Sequence, residues 1–175
     1  MGTPKALVRD PSGESFVERG IRVLRAGGCS PVVVVVGAEA ELVTGLADDA
    51  GADLVVEASD WARGQSASLR AGLAAVQSTD AEVACILLVD LPDVGPDVVA
   101  AVCAAAGGSR AALARAAYQG VPGHPVVMGR DHWPGVVDLA AGDTGARDYL
   151  AAHDHQLVEC GDLATGHDVD TPEDL

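Results

Sequence analysis

The sequence predicts an α/β fold in which helices cover a mostly parallel β-sheet. Short valine-rich runs alternate along the chain with longer segments whose apolar residues recur at helical spacing. Valine, alanine and leucine supply most of the apolar content, because the 175 residues include only one Phe, two Trp and two Tyr. Such β-branched strands and alanine-rich helices are typical of parallel sheets buried under helices. At this length we expect a single domain spanning residues 1–175.

Six helices are predicted. The first carries Phe16, Ile21 and Leu24 at helical spacing, and Gly27 is expected to end it. Pro96 stands at a first-turn position, which proline tolerates, and opens the fourth. In chain order the predicted helices are 15–26, 39–49, 65–77, 96–106, 131–139 and 144–152.

Six strands alternate with these helices. The clearest is the apolar run Val83-Ala-Cys-Ile-Leu-Leu-Val89, which predicts a strand buried on both faces. The segment Gly120-Val-Pro-Gly-His-Pro125 is rich in glycine and proline and predicts a stiff loop between two strands. In chain order the predicted strands are 31–36, 54–57, 83–89, 111–118, 125–128 and 157–160.

Charge and composition exclude several classes of partner. The formal net charge of −15 argues against nucleic acid, whose phosphates require a basic surface. The N-terminus lacks the apolar region of a signal peptide, and the longest valine run, 32–36, is far too short to span a membrane. We therefore expect a cytoplasmic protein with neither nucleic acid nor membrane as a partner.

The four cysteines lie far apart in the sequence and form no Cys-x-x-Cys pair. Most of them stand in apolar stretches. This pattern predicts buried, reduced thiols and neither a disulfide framework nor a zinc site. The four are Cys29, Cys85, Cys103 and Cys160.

Two acidic clusters are candidates for a metal site. Asp90 follows the predicted strand 83–89 directly, and Asp168 and Asp170 lie near the end of the chain. Ligands of open parallel sheets bind beyond the carboxyl ends of the strands, where Asp90 is expected. Converging carboxylates there favour a hard cation such as Mg²⁺. Alternatively, each cluster could be only a polar turn, with Thr171 capping a short helix.

Other candidate residues are isolated. Lys5 is the only lysine of the chain, and His124 lies in the predicted loop, where it could donate to a ligand. Gly37 alone follows its strand, so neither a dinucleotide-binding fingerprint nor a Walker loop is present. The run His153-Asp-His155 could bind a metal, but it lies where a helix ends, and a solvated turn is the simpler interpretation.

Six segments together resemble the MobA/MocA-like nucleotidyltransferases of molybdenum-cofactor maturation, in the same order as in that family. The Gly-His-Pro and Gly-Asp-x-Gly-Ala-Arg segments are most similar to the cytidylyltransferase branch. The six segments are Met1-Gly-Thr-Pro-Lys-Ala-Leu7, Trp61-Ala-Arg-Gly-Gln-Ser-Ala-Ser-Leu-Arg-Ala-Gly72, Leu87-Leu-Val-Asp-Leu-Pro-Asp-Val94, Tyr118-Gln-Gly-Val-Pro-Gly-His-Pro-Val126, Gly142-Asp-Thr-Gly-Ala-Arg147 and Asp168-Val-Asp-Thr-Pro-Glu-Asp-Leu175.

The resemblance implies a Rossmann-like three-layer sandwich and a set of catalytic residues. Asp90 and Asp170 would bind Mg²⁺, and Lys5 would contact the nucleotide phosphates. Residues 64–69 would lie beside the base and ribose. The residues expected to bind the nucleotide are accordingly Lys5, Gly64, Ser66 and Ser68.

The resemblance also implies an acceptor site and a departure from the family pattern. The 120–125 segment would line the side where a pterin rests, with Gly120, Gly123, His124 and Pro125 as binding residues. The family places a strand and a Gly-rich phosphate loop before the methionine that matches Met1. We therefore expect the first strand to be missing and the start codon to be assigned too late.

The expected reaction is Mg²⁺-dependent transfer of CMP from CTP to molybdopterin with release of pyrophosphate. A molybdoenzyme is a further partner that the resemblance allows. Guanylyl transfer to molybdopterin, or transfer to another phosphorylated acceptor such as phospholactate, is an alternative. Two more are a non-catalytic cofactor-binding chaperone and a sugar-nucleotide enzyme, for which 175 residues leave little room.

Overall fold

The computed structural model describes residues 4–169. Its helices are α1 (Phe16–Ala26), α2 (Ala40–Asp49), α3 (Gln65–Gln77), α4 (Pro96–Ala106), α5 (Trp133–Leu139) and α6 (Arg147–Ala152). Its strands are β1 (Val33–Val36), β2 (Leu54–Glu57), β3 (Val83–Ile86), β4 (Leu113–Tyr118), β5 (Val121–Gly129) and β6 (Gln156–Glu159). Short 3₁₀ turns span Lys5–Leu7, Trp61–Arg63 and Arg130–His132.

Local sequence signals explain where the helices begin. Ser15 caps α1 in a capping box, in which its backbone N–H donates to the Glu18 carboxylate at 2.8 Å. Helices α3 and α4 have the predicted bounds. The last two predicted helices begin later than expected, because 130–132 form a 3₁₀ turn and the 142–145 loop precedes α6. None of the helices in residues 4–169 has the length and apolarity needed to cross a membrane.

The strands form two sheets. Strands β1 and β2 pair in parallel, and a second sheet has the order β3-β5-β4-β6. In the second sheet β5 runs antiparallel to both β3 and β4, whereas β4 and β6 are parallel. The predicted α/β class is confirmed, with two parallel and two antiparallel pairings among the described strands.

The segment predicted as a stiff loop is instead half of a β-hairpin. Gln119 and Gly120 have φ angles of 52° and 79°, the left-handed pair that a type I′ hairpin turn needs. Strand β5 therefore starts at Val121, directly after the turn. Its prolines are tolerated because β3 pairs with β5 only from Val126 onward, so the proline-containing part gives no N–H to β3.

The four-stranded sheet lies between two helical layers. On one face, α4 and the sheet share a buried cluster that includes Val98, Val102 and Val127. On the other face, α3, α5 and α6 bury Leu73, Trp133 and Leu150 against the strands. These clusters form the helix–sheet–helix arrangement of a three-layer sandwich.

Strand β3 is shorter and less buried than the sequence predicts. The strand ends at Ile86, three residues before the end of the apolar run, and three of its four residues are only half-buried. Strand β1 is similar, with one buried residue of four. The chain leaves the β3–β5 pairing at Ile86, opposite Val126, and continues as an irregular segment toward Asp90.

Candidate active site

An ion pair joins the N-terminal turn to the segment after β3. The Lys5 ammonium lies 2.7 Å from Oδ2 of Asp90, and both side chains are partly buried. Ala6 and Leu7 pack against the cluster formed by α1, α2 and β1. The backbone of Val8 also accepts a hydrogen bond from Phe16 at 2.9 Å. These contacts hold Lys5 in place, and the structure brings together two of the three predicted catalytic residues.

The second carboxylate oxygen of Asp90 fits a metal ion. Oδ1 is buried and accepts no hydrogen bond from any residue between 4 and 169. An unsatisfied buried polar atom costs about 1–3 kcal/mol, and more when it carries charge. A hard divalent cation with oxygen ligands would satisfy Oδ1, while Lys5 holds Oδ2.

The C-terminal segment docks beside Asp90. The backbone N–H of Val169 donates to the Asp90 carbonyl oxygen at 2.9 Å. The Asp93 carboxylate accepts hydrogen bonds from the N–H and the hydroxyl of Thr165, both at 2.6 Å. Asp168 is exposed, and Asp170, the other predicted metal ligand, lies outside the described residues. The predicted approach of the two acidic clusters is thus observed as far as Val169.

A cavity of about 350 Å³ opens beside Lys5 and the start of α3. Among the predicted nucleotide-binding residues, Lys5, Gly64 and Ser68 line it, and Ser66 does not. Ser66 is only 1% exposed, and its hydroxyl accepts a hydrogen bond from Gly145 N at 3.2 Å. Ser66 therefore tethers the 142–145 loop to α3 and does not present its side chain to the cavity.

The cavity also contains residues that sequence reasoning did not assign. Trp61 packs against Gly37, where an added Cβ would lie 2.8 Å from the Trp61 side chain, and the residue remains 45% exposed. Asp143 accepts a hydrogen bond from Gln65 N at 3.3 Å and so caps α3. Trp61 and Asp143 lie inside two of the segments that resemble the family. Their position in those segments was the sequence signal that could have marked them as residues of the site.

Gly64 is required at the start of α3. Its φ of 113° is strained for any other residue, and a Cβ there would lie 2.5 Å from the Gly142 carbonyl carbon. Ser66 N donates to Gly142 O at 3.0 Å at the same contact. The first turn of α3 is thus locked to the 142–145 loop by close backbone approach.

The 120–125 segment divides between two places. Gly120 lies at the hairpin tip, where its N–H donates to the Glu159 carboxylate at 2.9 Å. Gly123 lies under the Tyr118 ring, and a Cβ there would lie 2.7 Å from a ring carbon. The Tyr118 hydroxyl donates to the His124 carbonyl at 2.6 Å, and Pro125 is buried. Only the Gly123–Pro125 end is directed toward the sheet interior.

His124 is electrostatically linked to Asp90. The pKa of the imidazole is lowered to about 4, mainly by burial and also by the positive charge of Arg115, while the Asp90 carboxylate opposes the shift. Arg115 is itself held by a 3.1 Å hydrogen bond from its Nε to Gly123 O. His124 is therefore neutral at pH 7 and can accept or donate one hydrogen bond near Asp90.

Comparison with known proteins agrees with this geometry. Residues 1–157 match the family described as MobA-like NTP transferase domain. Nicotine blue oxidoreductase of Paenarthrobacter nicotinovorans is 33% identical over 181 residues, which cover 98% of this chain and 86% of that protein.

Solved structures are similar over nearly the whole chain. Rv0371c of Mycobacterium tuberculosis H37Rv has a TM-score of 0.75 at 26% identity, covering 99% of this chain and 88% of that one. The same protein has also been solved in complex with manganese, with the same TM-score of 0.75. Molybdopterin-guanine dinucleotide biosynthesis protein A of Archaeoglobus fulgidus shares the fold, with a TM-score of 0.65 at 16% identity over 99% of this chain and 87% of that one.

The predicted Rossmann-like fold of these transferases is thereby confirmed. An ion-paired carboxylate on the segment that follows β3, a cavity lined by its Lys5 partner and a family match over most of the length agree with one another. The chain belongs to the MobA-like NTP transferase family and is a nucleotidyltransferase.

Proposed function

We propose that this nucleotidyltransferase transfers CMP from CTP to the phosphate of molybdopterin. A phosphate oxygen of the acceptor attacks the α-phosphorus of CTP, the bond between the α-phosphorus and its bridging oxygen breaks, and pyrophosphate leaves. The observation that carries the proposal is Oδ1 of Asp90, which is buried, accepts no hydrogen bond from residues 4–169 and lies near Lys5 and the cavity that Lys5 lines. The segments most similar to the cytidylyltransferase branch favour CTP and the pterin.

The chain's own residues would act mainly by positioning and by balancing charge. Asp90, together with Asp170, is proposed to hold Mg²⁺, which neutralises phosphate charge when bound. The Lys5 ammonium would face the same phosphates. Such fixed charges stabilise a transition state without having to reorganise during the reaction. Manganese in the structure of Rv0371c supports a divalent ion at a site of this kind.

The cavity is proposed to hold the nucleoside. Trp61 offers an exposed aromatic face on which a base can stack, and Gly64 and Ser68 lie along the same wall. Stacking of a base on an aromatic ring is typically worth about 1–3 kcal/mol. Because stacking accepts any base, these contacts favour nucleotide binding without choosing between CTP and GTP.

The acceptor is proposed to bind on the side of Gly123, His124 and Pro125. A neutral imidazole at His124 can hydrogen-bond the polar edge of a pterin without adding charge. Gly120 is part of the same proposed segment, although it lies at the hairpin tip. Guanylyl transfer, or transfer to phospholactate or another phosphorylated acceptor, remains the alternative within the same chemistry.

Calorimetric titration of the protein with CTP and then with GTP, each with and without Mg²⁺, tests the nucleotide. Magnesium-dependent binding of CTP, with GTP at least ten-fold weaker, is the expected result. Tighter binding of GTP would replace the cytidylyl proposal with guanylyl transfer. Failure of a folded protein to bind either nucleotide would overturn both.

Pyrophosphate release in the presence of CTP, Mg²⁺ and molybdopterin tests the role of Asp90. Asp90→Ala should lose about 3 kcal/mol or more of transition-state stabilisation, or at least a hundred-fold in rate. Substituting phospholactate for the pterin separates the two acceptors. An Asp90→Ala protein as active as the parent would refute the metal role.

A second candidate function is a redox reaction. The specific observation in its favour is the 33% identity over 98% of the chain to a protein named nicotine blue oxidoreductase. Oxidation of NADH or NADPH by the purified protein, followed by absorbance with a panel of heteroaromatic acceptors, is the direct test. Turnover there, without pyrophosphate release from CTP, would favour this candidate over nucleotidyl transfer.

A further inference from the structure

Three of the four cysteines meet inside the fold. The sulfur atoms of Cys29, Cys85 and Cys103 all lie within 4.8 Å of one another. They come from the turn after α1, from β3 and from α4, and all three residues are half-buried. The sequence predicted reduced thiols without a metal site, and the cysteines are free, but their separation in the sequence did not indicate that three of them would lie together. The three cysteines are far apart in the sequence, and only the packing of helices on the sheet brings them together.

The fold holds these cysteines by contacts that do not involve sulfur. Gly27 lies so close to α4 that a Cβ there would be 2.6 Å from Cβ of Val99. The turn that carries Cys29 is thereby pressed onto α4, where Cys103 follows Val99 by one helical turn on the same face. Cys85 alternates with Ala84 on β3, and the two contribute to the clusters on opposite faces of the sheet. The three backbones are thus positioned before any ligand binds.

The three thiols are close enough to act on one ion together, because their sulfur atoms lie within 4.8 Å of one another. Cysteine binds a metal ion as the thiolate, so an ion bound here would displace the protons of the three thiols. The geometry of the cluster, with three donors in mutual contact, makes that displacement a single local event.

The donor set selects the kind of ion. No carboxylate or imidazole in the described part of the chain completes a group with these sulfurs, so the donors are three soft thiolates. Such ligands favour Zn²⁺ and Cu⁺ over Mg²⁺ or Mn²⁺. With Zn²⁺ the site would carry a net charge of −1, with Cu⁺ of −2, and the smaller residual charge costs less in a half-buried site.

The distances suit zinc after a small contraction. Tetrahedral Zn²⁺ with Zn–S bonds of about 2.3 Å requires sulfur atoms about 3.8 Å apart. The sulfur atoms lie within 4.8 Å of one another, so side-chain rotations that bring them closer by at most about 1 Å give this spacing. The partial exposure of the three residues leaves room for water as a fourth ligand. We propose that Cys29, Cys85 and Cys103 form a binding site for one Zn²⁺ ion, separate from the nucleotide site.

The proposal is tested on the full chain, reduced and freed of metal. Competition between the protein and a chromophoric zinc chelator should give one high-affinity equivalent. Co²⁺ should add a thiolate-to-cobalt charge-transfer absorption. Cys29→Ser and Cys103→Ser should each weaken zinc binding at least a hundred-fold and lose the cobalt band. Cys160→Ser is the matched control, because Cys160 is a buried cysteine that is not part of the cluster, and it should bind like the parent.

Alkylation gives a second readout that does not depend on affinity. Bound zinc should protect three thiols of the folded protein from iodoacetamide, and EDTA should expose them, as counted by mass spectrometry. Circular dichroism checks that each serine variant is folded. No zinc binding by the reduced parent, or equal binding by folded Cys29→Ser and Cys103→Ser variants, would overturn the proposal.

Discussion

Asp90 and Cys85 stand five residues apart on the segment that starts with β3, about 16 Å of extended chain, yet their surroundings offer opposite chemistry. Asp90 lies past the end of the strand and is paired with Lys5, which lines the cavity together with Val89. Cys85 lies within the strand, under α4, against two other thiols. One end presents a hard oxygen ligand and the other soft sulfur ligands. The comparison shows that side chains five residues apart can have opposite surroundings when one lies within a strand and the other on the irregular segment that follows it.

If the two regions are independent, changes at one should leave the other unaffected. Asp90→Asn gives the largest expected effect. We expect at least a hundred-fold loss of pyrophosphate release, equivalent to about 3 kcal/mol, because an amide cannot replace the charge of the carboxylate proposed to hold the metal ion. Zinc binding by the cysteine cluster should be unchanged in the same sample. The exposed Asp80→Asn is the control and should keep full activity.

The acid stability of the protein should depend on His124. Its pKa is lowered to about 4 in the folded state from an ordinary 6.5, mainly by burial. Between these two pH values His124 binds a proton in the unfolded chain but not in the folded protein, so the free energy of unfolding falls as the pH drops from about 6.5 to 4. Above pH 6.5 His124 is neutral in both states and does not make the stability depend on pH.

Between pH 7 and pH 4, protonation of His124 in the unfolded chain should lower the free energy of unfolding by on the order of 2–3 kcal/mol. Urea unfolding of the parent and of His124→Gln between pH 7 and 4 measures it. The variant should lose less stability over that interval. Parallel pH profiles for the two proteins would show that His124 is not held neutral in the folded state.

Gly64→Ala should disturb the proposed nucleotide site by straining the backbone at the start of α3. The residue has φ of 113° and its Cβ would contact Gly142, so we expect a loss of about 1–3 kcal/mol in unfolding free energy. Nucleotide affinity should fall with it, because α3 and the 142–145 loop separate. Gly45→Ala is the matched control, since Gly45 lies in α2 with open space around it and should be neutral or stabilising. Thermal unfolding and calorimetry on both variants provide the measurements.

Cys103→Ser gives the smallest expected effect on nucleotide chemistry. Pyrophosphate release and the Kd for CTP should stay within about two-fold of the parent, although zinc binding is lost. The physical reason is that Cys103 lies on α4, and no residue of α4 lines the cavity. A ten-fold change in turnover would mean that the thiol cluster and the nucleotide site are coupled through β3.

Most of the fold was predictable because its signals are local. The apolar periodicity of α3 and the first-turn proline of α4 predicted the bounds of both helices. Leu54–Glu57 was likewise predicted with the observed bounds. The hairpin at Gln119 and Gly120 was not, because a non-glycine residue with positive φ starts the turn and prolines follow it. Prolines are typical of loops, and only the structure shows that β3 does not pair with the part of β5 that contains them.

The candidate site divides in the same way. Asp90 and Lys5 were found from a strand-end acidic residue and from a family-like segment, and the structure joins them at 2.7 Å. Ser66 was assigned to the nucleotide, yet its hydroxyl is used by Gly145. Trp61 and Asp143 were missed, because their role depends on which loops lie against α3.

The sequence by itself determined the class of fold, the order of its elements and the acidic residue at the end of the key strand. Each of these depends on neighbours within a few residues, where spacing and side-chain chemistry decide the outcome. Tertiary structure alone decided that one oxygen of Asp90 accepts no hydrogen bond from residues 4–169, that Ser66 faces inward and that three distant cysteines meet. These features depend on how layers pack, and packing joins residues whose separation in sequence carries no information about their distance in space.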